Sequence, residues 1–102
     1  MTTDHFIEIE ATDVRYFSEH DETFFFEWLD RIPCVKKYVG KFRTIHITID
    51  IDRVDEQAIR ELLALYHRYQ INMQSLIALE KPEFASWLRN EKAFWYAGIF
   101  GN

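Results

Sequence analysis

The sequence predicts one α/β domain of the α+β type over residues 1–102. A small mixed or antiparallel sheet of two to four strands is expected to pack against three or four helices. Hydrophobic residues make up 48% of the 102 residues, enough for a single core. Isoleucines alternate with polar residues in some segments, while apolar residues recur every three or four positions in others. The order strand, helix, strands, helices is typical of helices that cover one face of a sheet.

The strands are predicted from apolar residues at every second position. The first strand covers residues 6–11. The clearest covers residues 41–51, where four isoleucines alternate with threonine, histidine and aspartate. Residues 34–39 could form a further short strand or an irregular loop, and Gly40-Lys41 is a candidate turn into the next strand.

The first helix is predicted between the first two strands. Ser18 and Asp21 have the spacing of a capping box at its start, and Pro33 disfavours helical geometry just before it. Four residues at helical spacing form its apolar face: Phe25, Trp28, Leu29 and Ile32.

The second helix is predicted to begin with Asp52 as its N-cap. Asp55 and Glu56 would then lie in the first turn, where acids complement the helix dipole. Five residues form its expected core face: Ile59, Leu62, Leu63, Tyr66 and Tyr69. Asn72 either ends this helix or caps a short one that runs to residue 79.

Further short helices are predicted near the C-terminus, one of them beginning at Pro82. Residues 94–100 include four aromatic residues, which are too apolar to remain in water. We therefore expect this segment to belong to the core.

Composition and the N-terminus predict a cytoplasmic protein that does not enter a membrane. Cys34 is the single cysteine, so no intrachain disulfide can form, and a free thiol fits a reducing compartment. Residues 1–5 have no basic start and no apolar run follows, which argues against a signal peptide. The net charge of −5 makes nucleic-acid binding an unlikely role.

No motif for catalysis, a metal or a cofactor is evident, so we expect none of the three. His46 and Asp50 share a strand face but lie roughly 13 Å apart along it. The aspartates between residues 50 and 55 lack the glycine of a calcium loop and fit a helix N-terminus instead. Glu8 and Glu10 are interpreted as a solvated strand face, and Cys34 has no evident base.

The charges are distributed unevenly along the chain. Residues 1–30 carry a net charge of −8, residues 31–48 carry +5, and residues 49–102 carry −2. The basic segment could bind single-stranded nucleic acid through its interleaved aromatics, or it could neutralise the acidic first third within the fold.

The acidic first helix is the candidate recognition surface for a basic protein partner. An aromatic residue surrounded by carboxylates on its outer face is a suitable anchor. The alternative is an ordinary solvated helix with Phe26 half-buried under a loop. Five residues form the predicted partner-binding set: Glu19, Glu22, Phe26, Glu27 and Asp30.

The C-terminal third resembles small bacterial proteins of the immunity type. The resemblance covers residues 69–101 and rests on residues 69–76 (YQINMQSL), Trp87, residues 94–96 (FWY) and residues 99–101 (IFG). Such proteins are cytoplasmic inhibitors that neutralise a cognate toxin domain by direct binding. The resemblance therefore implies a protein that is not an enzyme and that occludes a basic active site. It assigns no individual binding residue, because the surface that faces the toxin varies in such proteins.

Two alternatives come from other functional classes. The chain could be a homo-oligomeric structural or regulatory protein, with a homodimer formed by isoleucine-rich strand edges and the aromatic tail. It could also be a small enzyme that uses His46 with nearby acids. A cleft that gathers His46, Asp50 and a second histidine would favour the enzyme.

Overall fold

A computed structural model describes residues 5–101 and confirms the α+β prediction. Residues 1–4, which include most of the segment used to argue against a signal peptide, and residue 102 lie outside the described residues. Three strands form one antiparallel sheet: β1 (Phe6–Thr12), β2 (Val35–Lys41) and β3 (Thr44–Asp50). The α-helices are α1 (Glu19–Asp30), α2 (Glu56–Arg68), α3 (Ala85–Leu88) and α4 (Tyr96–Phe100). Three 3₁₀ helices cover Ile51–Arg53, Gln74–Leu79 and Pro82–Phe84.

The isoleucine-rich strand β3 is the central strand, in the order β1-β3-β2. Its backbone is therefore paired on both sides, and it is not the edge that the homo-oligomer alternative requires. Ile47 and Ile49 are buried with Ile9 of β1 on the inner face of the sheet. The side chains between them point to the other, outer face, because successive residues of a strand alternate.

Residues 34–39 mostly belong to a strand, which resolves one alternative that the sequence left open. The turn, however, is not at Gly40-Lys41. β2 continues until Lys41 pairs with Thr44, so Phe42 and Arg43 form the two-residue connection. Phe42 adopts a positive φ of 56°, a conformation that favours glycine, and its side chain is fully exposed.

The start of α1 confirms Ser18 as the cap, but the reciprocal bond of the predicted capping box goes to the preceding residue. Ser18 accepts a hydrogen bond from the backbone N–H of Asp21 at 3.2 Å. The Asp21 carboxylate in turn accepts the N–H of Phe17, one residue before the cap, at 2.9 Å. The Asp21 N–H, which the helix leaves without a partner, is thus satisfied by the Ser18 side chain, and the second bond fixes the chain just before the cap.

The predicted N-cap of the second helix is wrong by three residues. Asp52 lies in the 3₁₀ helix after β3, and its own N–H is accepted by the Asp50 carboxylate. The chain then becomes extended to bury Val54, and Asp55 accepts the N–H of Ala58 at 2.8 Å as the cap of α2. Because Ile51 begins the 3₁₀ helix, β3 ends at Asp50 and not at residue 51.

The C-terminal third folds onto the core as short, mostly 3₁₀ segments. Asn72 accepts the N–H of Gln74 at the start of Gln74–Leu79, close to the second of its predicted roles, although Met73 and not Asn72 occupies the cap position. Pro82 begins the next 3₁₀ helix, as expected. Trp95 and Ile99 are buried, so the aromatic tail joins the core through these two residues, whereas Phe94 is exposed and that part of the prediction is wrong.

No helix within residues 5–101 has the length and apolar character that crossing a membrane requires.

Candidate functional site

α1 exposes all four carboxylates of the predicted partner-binding set. Glu19, Glu22, Glu27 and Asp30 are all exposed. The first turn of α1 is acidic and its last turn carries no base, so no intrahelical ion pair neutralises this face. The fold therefore keeps the negative charge at the surface, where it acts over about a Debye length of 10 Å.

Phe26 is not the exposed aromatic that the sequence predicted. It is half-buried, and its ring packs against Phe25 with 5.1 Å between ring centroids and against Tyr38 with 5.2 Å. β2 brings Tyr38 beside α1, and Tyr16 of the segment between β1 and α1 also contacts the ring, with 6.4 Å between centroids, so both the sheet and a loop cover it. Phe26 thus serves the fold, and a partner could reach only part of it.

Asp30 has an internal partner of its own. Its carboxylate accepts a hydrogen bond from the Tyr38 hydroxyl at 2.8 Å, and this bond raises the pKa of Tyr38 above its ordinary value. The pair ties the C-terminal end of α1 to β2. Asp30 remains exposed, and the hydrogen bond orients its carboxylate towards Tyr38.

Phe24 on α1 and Phe17 just before it are exposed aromatics that the sequence analysis missed. Phe24 is 54% exposed, Phe17 is 86% exposed, and His20 lies over Phe24 with 5.9 Å between centroids. The signal for Phe24 was the run of three phenylalanines at 24–26, because consecutive residues on a helix cannot all face one core.

A groove between α1 and α2, called here the α1–α2 groove, borders the same face. It has a volume of about 610 Å³, and Phe24 and Trp28 form part of its lining. The Trp28 indole N–H donates to Glu61 of α2 at 2.8 Å, which fixes both side chains. The groove is therefore a shaped concavity with aromatic side chains in its lining.

The charges that line the α1–α2 groove are mostly negative. Glu27, Asp55 and Glu61 contribute carboxylates, and Arg31 is the single base in the lining. Asp55 uses one oxygen for its cap, and Glu61 accepts one bond from Trp28, so further oxygens stay available. A cationic side chain would find carboxylates and an aromatic wall together.

The outer face of the sheet carries a second group of polar residues. His46 Nδ1 lies 2.5 Å from a carboxylate oxygen of Glu8 on the neighbouring strand. One ligand atom from each of Glu8, Glu10 and His46 falls within 4.8 Å of the others. Lys37 and Lys41 of β2 line a shallow depression that also includes Glu8 and His46.

The constellation expected of a histidine enzyme is not brought together. The partner of His46 is Glu8, whereas Asp50 caps the 3₁₀ helix after β3. His5 pairs with Asp52, and His67 stacks on Phe94. Within residues 5–101 these histidines therefore lie in separate settings, each with a different partner.

The basic segment neutralises part of the acidic first third. Arg43 forms a two-bond ion pair with Asp13, at 2.6 and 2.8 Å. This pair joins the β2–β3 turn to the segment after β1. It favours the interpretation that these bases balance charge within the fold.

Comparison of the chain with protein-family models, with curated proteins and with solved structures found no significant match. A functional proposal therefore depends on the geometry above and on the sequence.

Proposed function

We propose that this chain is a non-catalytic cytoplasmic protein that binds a basic partner protein. The outer face of α1 and the adjacent α1–α2 groove form the binding surface. In the immunity-type interpretation, the partner is a toxin domain whose basic active site is occluded. The observation that carries this proposal is the groove, where three carboxylates and an aromatic wall meet beside the exposed acids of α1.

Charge complementarity supports a basic occupant. Glu19 and Glu27 extend the negative surface of the groove along α1. Carboxylates at the rim of an interface accelerate the encounter with a cationic protein, and their effect falls as salt screens them. A lysine or arginine of the partner can enter the groove between Glu27 and Glu61, against Trp28.

Phe24 supplies the apolar anchor of this surface, in place of Phe26. It borders the groove on one side and the depression formed with Arg68 and Tyr69 on the other. A half-exposed aromatic between two concavities resembles the binding hot spots of protein interfaces, which are centred on aromatic residues.

The test uses the protein encoded by the reading frame adjacent to this chain's gene, since immunity-type proteins act on a cognate toxin. Association and dissociation are measured by surface plasmon resonance at several salt concentrations. Glu27→Gln combined with Asp30→Asn should slow association and weaken its salt dependence. Phe24→Ala should accelerate dissociation and cost about 2 kcal/mol of binding free energy.

Two matched controls separate this surface from general effects of charge and apolar area. Phe94 is 53% exposed, nearly as much as Phe24, but lies beside His67. Phe94→Ala should leave dissociation unchanged, and Glu83→Gln should leave association unchanged. Wild-type kinetics for both the Phe24 and the Glu27/Asp30 variants would place the binding surface elsewhere.

A further inference from the structure

The cluster of Glu8, Glu10 and His46 lies on the outer face of the sheet, on the other side of the sheet from its buried isoleucines. The three residues come from two strands, and Glu10 is directly opposite His46 in the β1–β3 register. Glu8 is the diagonal neighbour, with its carboxylate already 2.5 Å from His46 Nδ1. Such opposite and diagonal pairs are the closest side-chain neighbours that an antiparallel sheet provides.

The backbone around Glu10 holds this geometry. Its N–H donates to the Ser75 hydroxyl at 3.1 Å, and its carbonyl accepts from Tyr66 at 2.9 Å. Both groups therefore point away from β3, which makes Glu10 and His46 a pair without direct backbone hydrogen bonds. In such pairs the Cα atoms are about 4.5 Å apart, against about 5.5 Å in hydrogen-bonded pairs, so the side chains are closest.

We propose that Glu8, Glu10 and His46 bind one Zn²⁺ ion, with a fourth coordination position open to solvent. Zinc takes nitrogen and carboxylate oxygen at about 2.0–2.2 Å, so its ligand atoms are about 3.4 Å apart in a tetrahedron. The three ligand atoms here lie within 4.8 Å of one another, and the two glutamates are exposed. Rotation about their side-chain bonds is enough to close the site.

The donor set selects the class of cation. Calcium takes six to eight oxygen ligands, and magnesium demands near-octahedral oxygen coordination, whereas three donors including an imidazole suit zinc and its neighbours. Two carboxylates also balance the double positive charge of the ion. Lys37 and Lys41 line the other side of the depression and repel a cation, which lowers the expected affinity.

The sequence predicted no metal because only the spacing of possible ligands along the chain can be read from it. Glu8 and His46 are 38 residues apart in sequence, and only the pairing of β1 with β3 brings them together. The zinc site lies on a different surface from the α1–α2 groove, so the two proposals stand independently.

The experiment is isothermal titration of the tag-free protein with Zn²⁺. The wild type should bind one ion, and His46→Gln and Glu10→Gln should each weaken binding tenfold or more. His67→Gln and Glu83→Gln remove the same chemical groups from exposed positions elsewhere and should leave the affinity unchanged. Circular dichroism tests whether each variant is folded. If His46→Gln does not fold, the Zn²⁺ affinity of Glu10→Gln decides the outcome.

A second measurement places the ion directly. In long-range ¹H–¹⁵N spectra, Zn²⁺ should shift the ring nitrogens of His46 and leave those of His67 in place. Three results would each overturn the proposal: no saturable one-to-one binding by the wild type, wild-type affinity in both cluster variants, or an equal loss of affinity in the His67 variant.

Discussion

At the level of single residues, burial sets the chemistry of Cys34. The thiol is fully buried at the start of β2, where burial raises its pKa from 9.0 to about 11. Asp55 and Asp50 act in the same direction. A thiol held in its protonated form is a poor nucleophile, in agreement with the sequence interpretation of Cys34 as a structural residue.

This shift makes stability depend on pH. The pKa of Cys34 is higher in the folded than in the unfolded chain. Its contribution to stability is therefore fully present below the unfolded pKa of 9.0 and is lost as pH rises towards the folded pKa of about 11. Between pH 8 and pH 10 the free energy of unfolding should fall by roughly 1 kcal/mol from this group. Urea unfolding at several pH values measures the fall. The range stops at pH 10, the ordinary pKa of tyrosine. Above it tyrosines ionise in the unfolded chain, while burial raises the pKa of folded Tyr16 to about 12, so tyrosine would add to the fall.

The control for this prediction is Cys34→Ala, compared by slope and not by absolute stability. The variant loses packing at every pH, but it has no thiol to titrate in either state. Its free energy of unfolding should therefore fall less between pH 8 and pH 10 than that of the wild type. An equal fall in both proteins would assign the dependence to other groups.

The candidate site shows how far single residues can be predicted from sequence. The acidic character of α1 follows directly from the positions of Glu19, Glu27 and Asp30. That Phe24 and not Phe26 is the exposed aromatic does not follow from the sequence, because it depends on Tyr38 packing beside α1. Local periodicity describes one helix and contains no information on which neighbour covers its border positions.

At the level of elements, α2 provides a direct test of where a helix begins. Asp55 caps the helix with a 2.8 Å bond, whereas Asp52 lies one 3₁₀ turn earlier. Asp55→Ala should lower the free energy of unfolding by about 1 kcal/mol, because the N–H of Ala58 loses its acceptor. Asp52→Ala removes the same charge together with an exposed ion pair to His5, which contributes little, and should cost less than about 0.5 kcal/mol.

Urea unfolding of both variants at pH 7 measures this difference. Equal losses would mean that charge near the helix N-terminus matters and the cap does not. The sequence could not distinguish the two aspartates, because both precede an apolar helical pattern by a plausible distance. Burial of Val54 decides between them, and burial is a property of the complete fold.

The strands were predicted better than the contacts between them. Alternation identified β1 closely, since a strand that buries one face shows its period directly, but it placed the start of β3 at residue 41, which belongs to β2. The order β1-β3-β2 and the register that places Glu10 opposite His46 are long-range pairings. The local pattern specifies neither the strand order nor the register, so the sequence did not predict the cluster of Glu8, Glu10 and His46 on the outer face.

At the level of the whole molecule, one buried cluster joins the sheet, both long helices and the C-terminal third. The segments after α2 are short 3₁₀ and helical turns, too short to be stable alone in water. They depend on the residues that they contribute to the core, among which are Leu76, Leu88, Trp95 and Ile99. The apolar and aromatic residues that predict the burial of this third are therefore also the residues that stabilise its folded structure.

Adjacent aromatics in the tail test this dependence. Trp95 is 8% exposed, and its indole N–H donates to the Leu88 carbonyl at 2.7 Å, whereas Phe94 is 53% exposed. Trp95→Ala leaves a cavity and an unpaired carbonyl, and should cost about 3–5 kcal/mol. Phe94→Ala should cost less than half as much. Thermal unfolding followed by circular dichroism compares the two.

Removal of residues 94–102 extends the same test to the complete segment. It takes away Trp95 and Ile99 together, a loss comparable with the 5–15 kcal/mol that stabilises a typical domain. The shortened chain should therefore lose its cooperative thermal transition and its near-ultraviolet circular dichroism. Since Phe94→Ala alone should keep both, that loss would come from the buried residues. A melting temperature unchanged by the deletion would show that the core is complete without the tail.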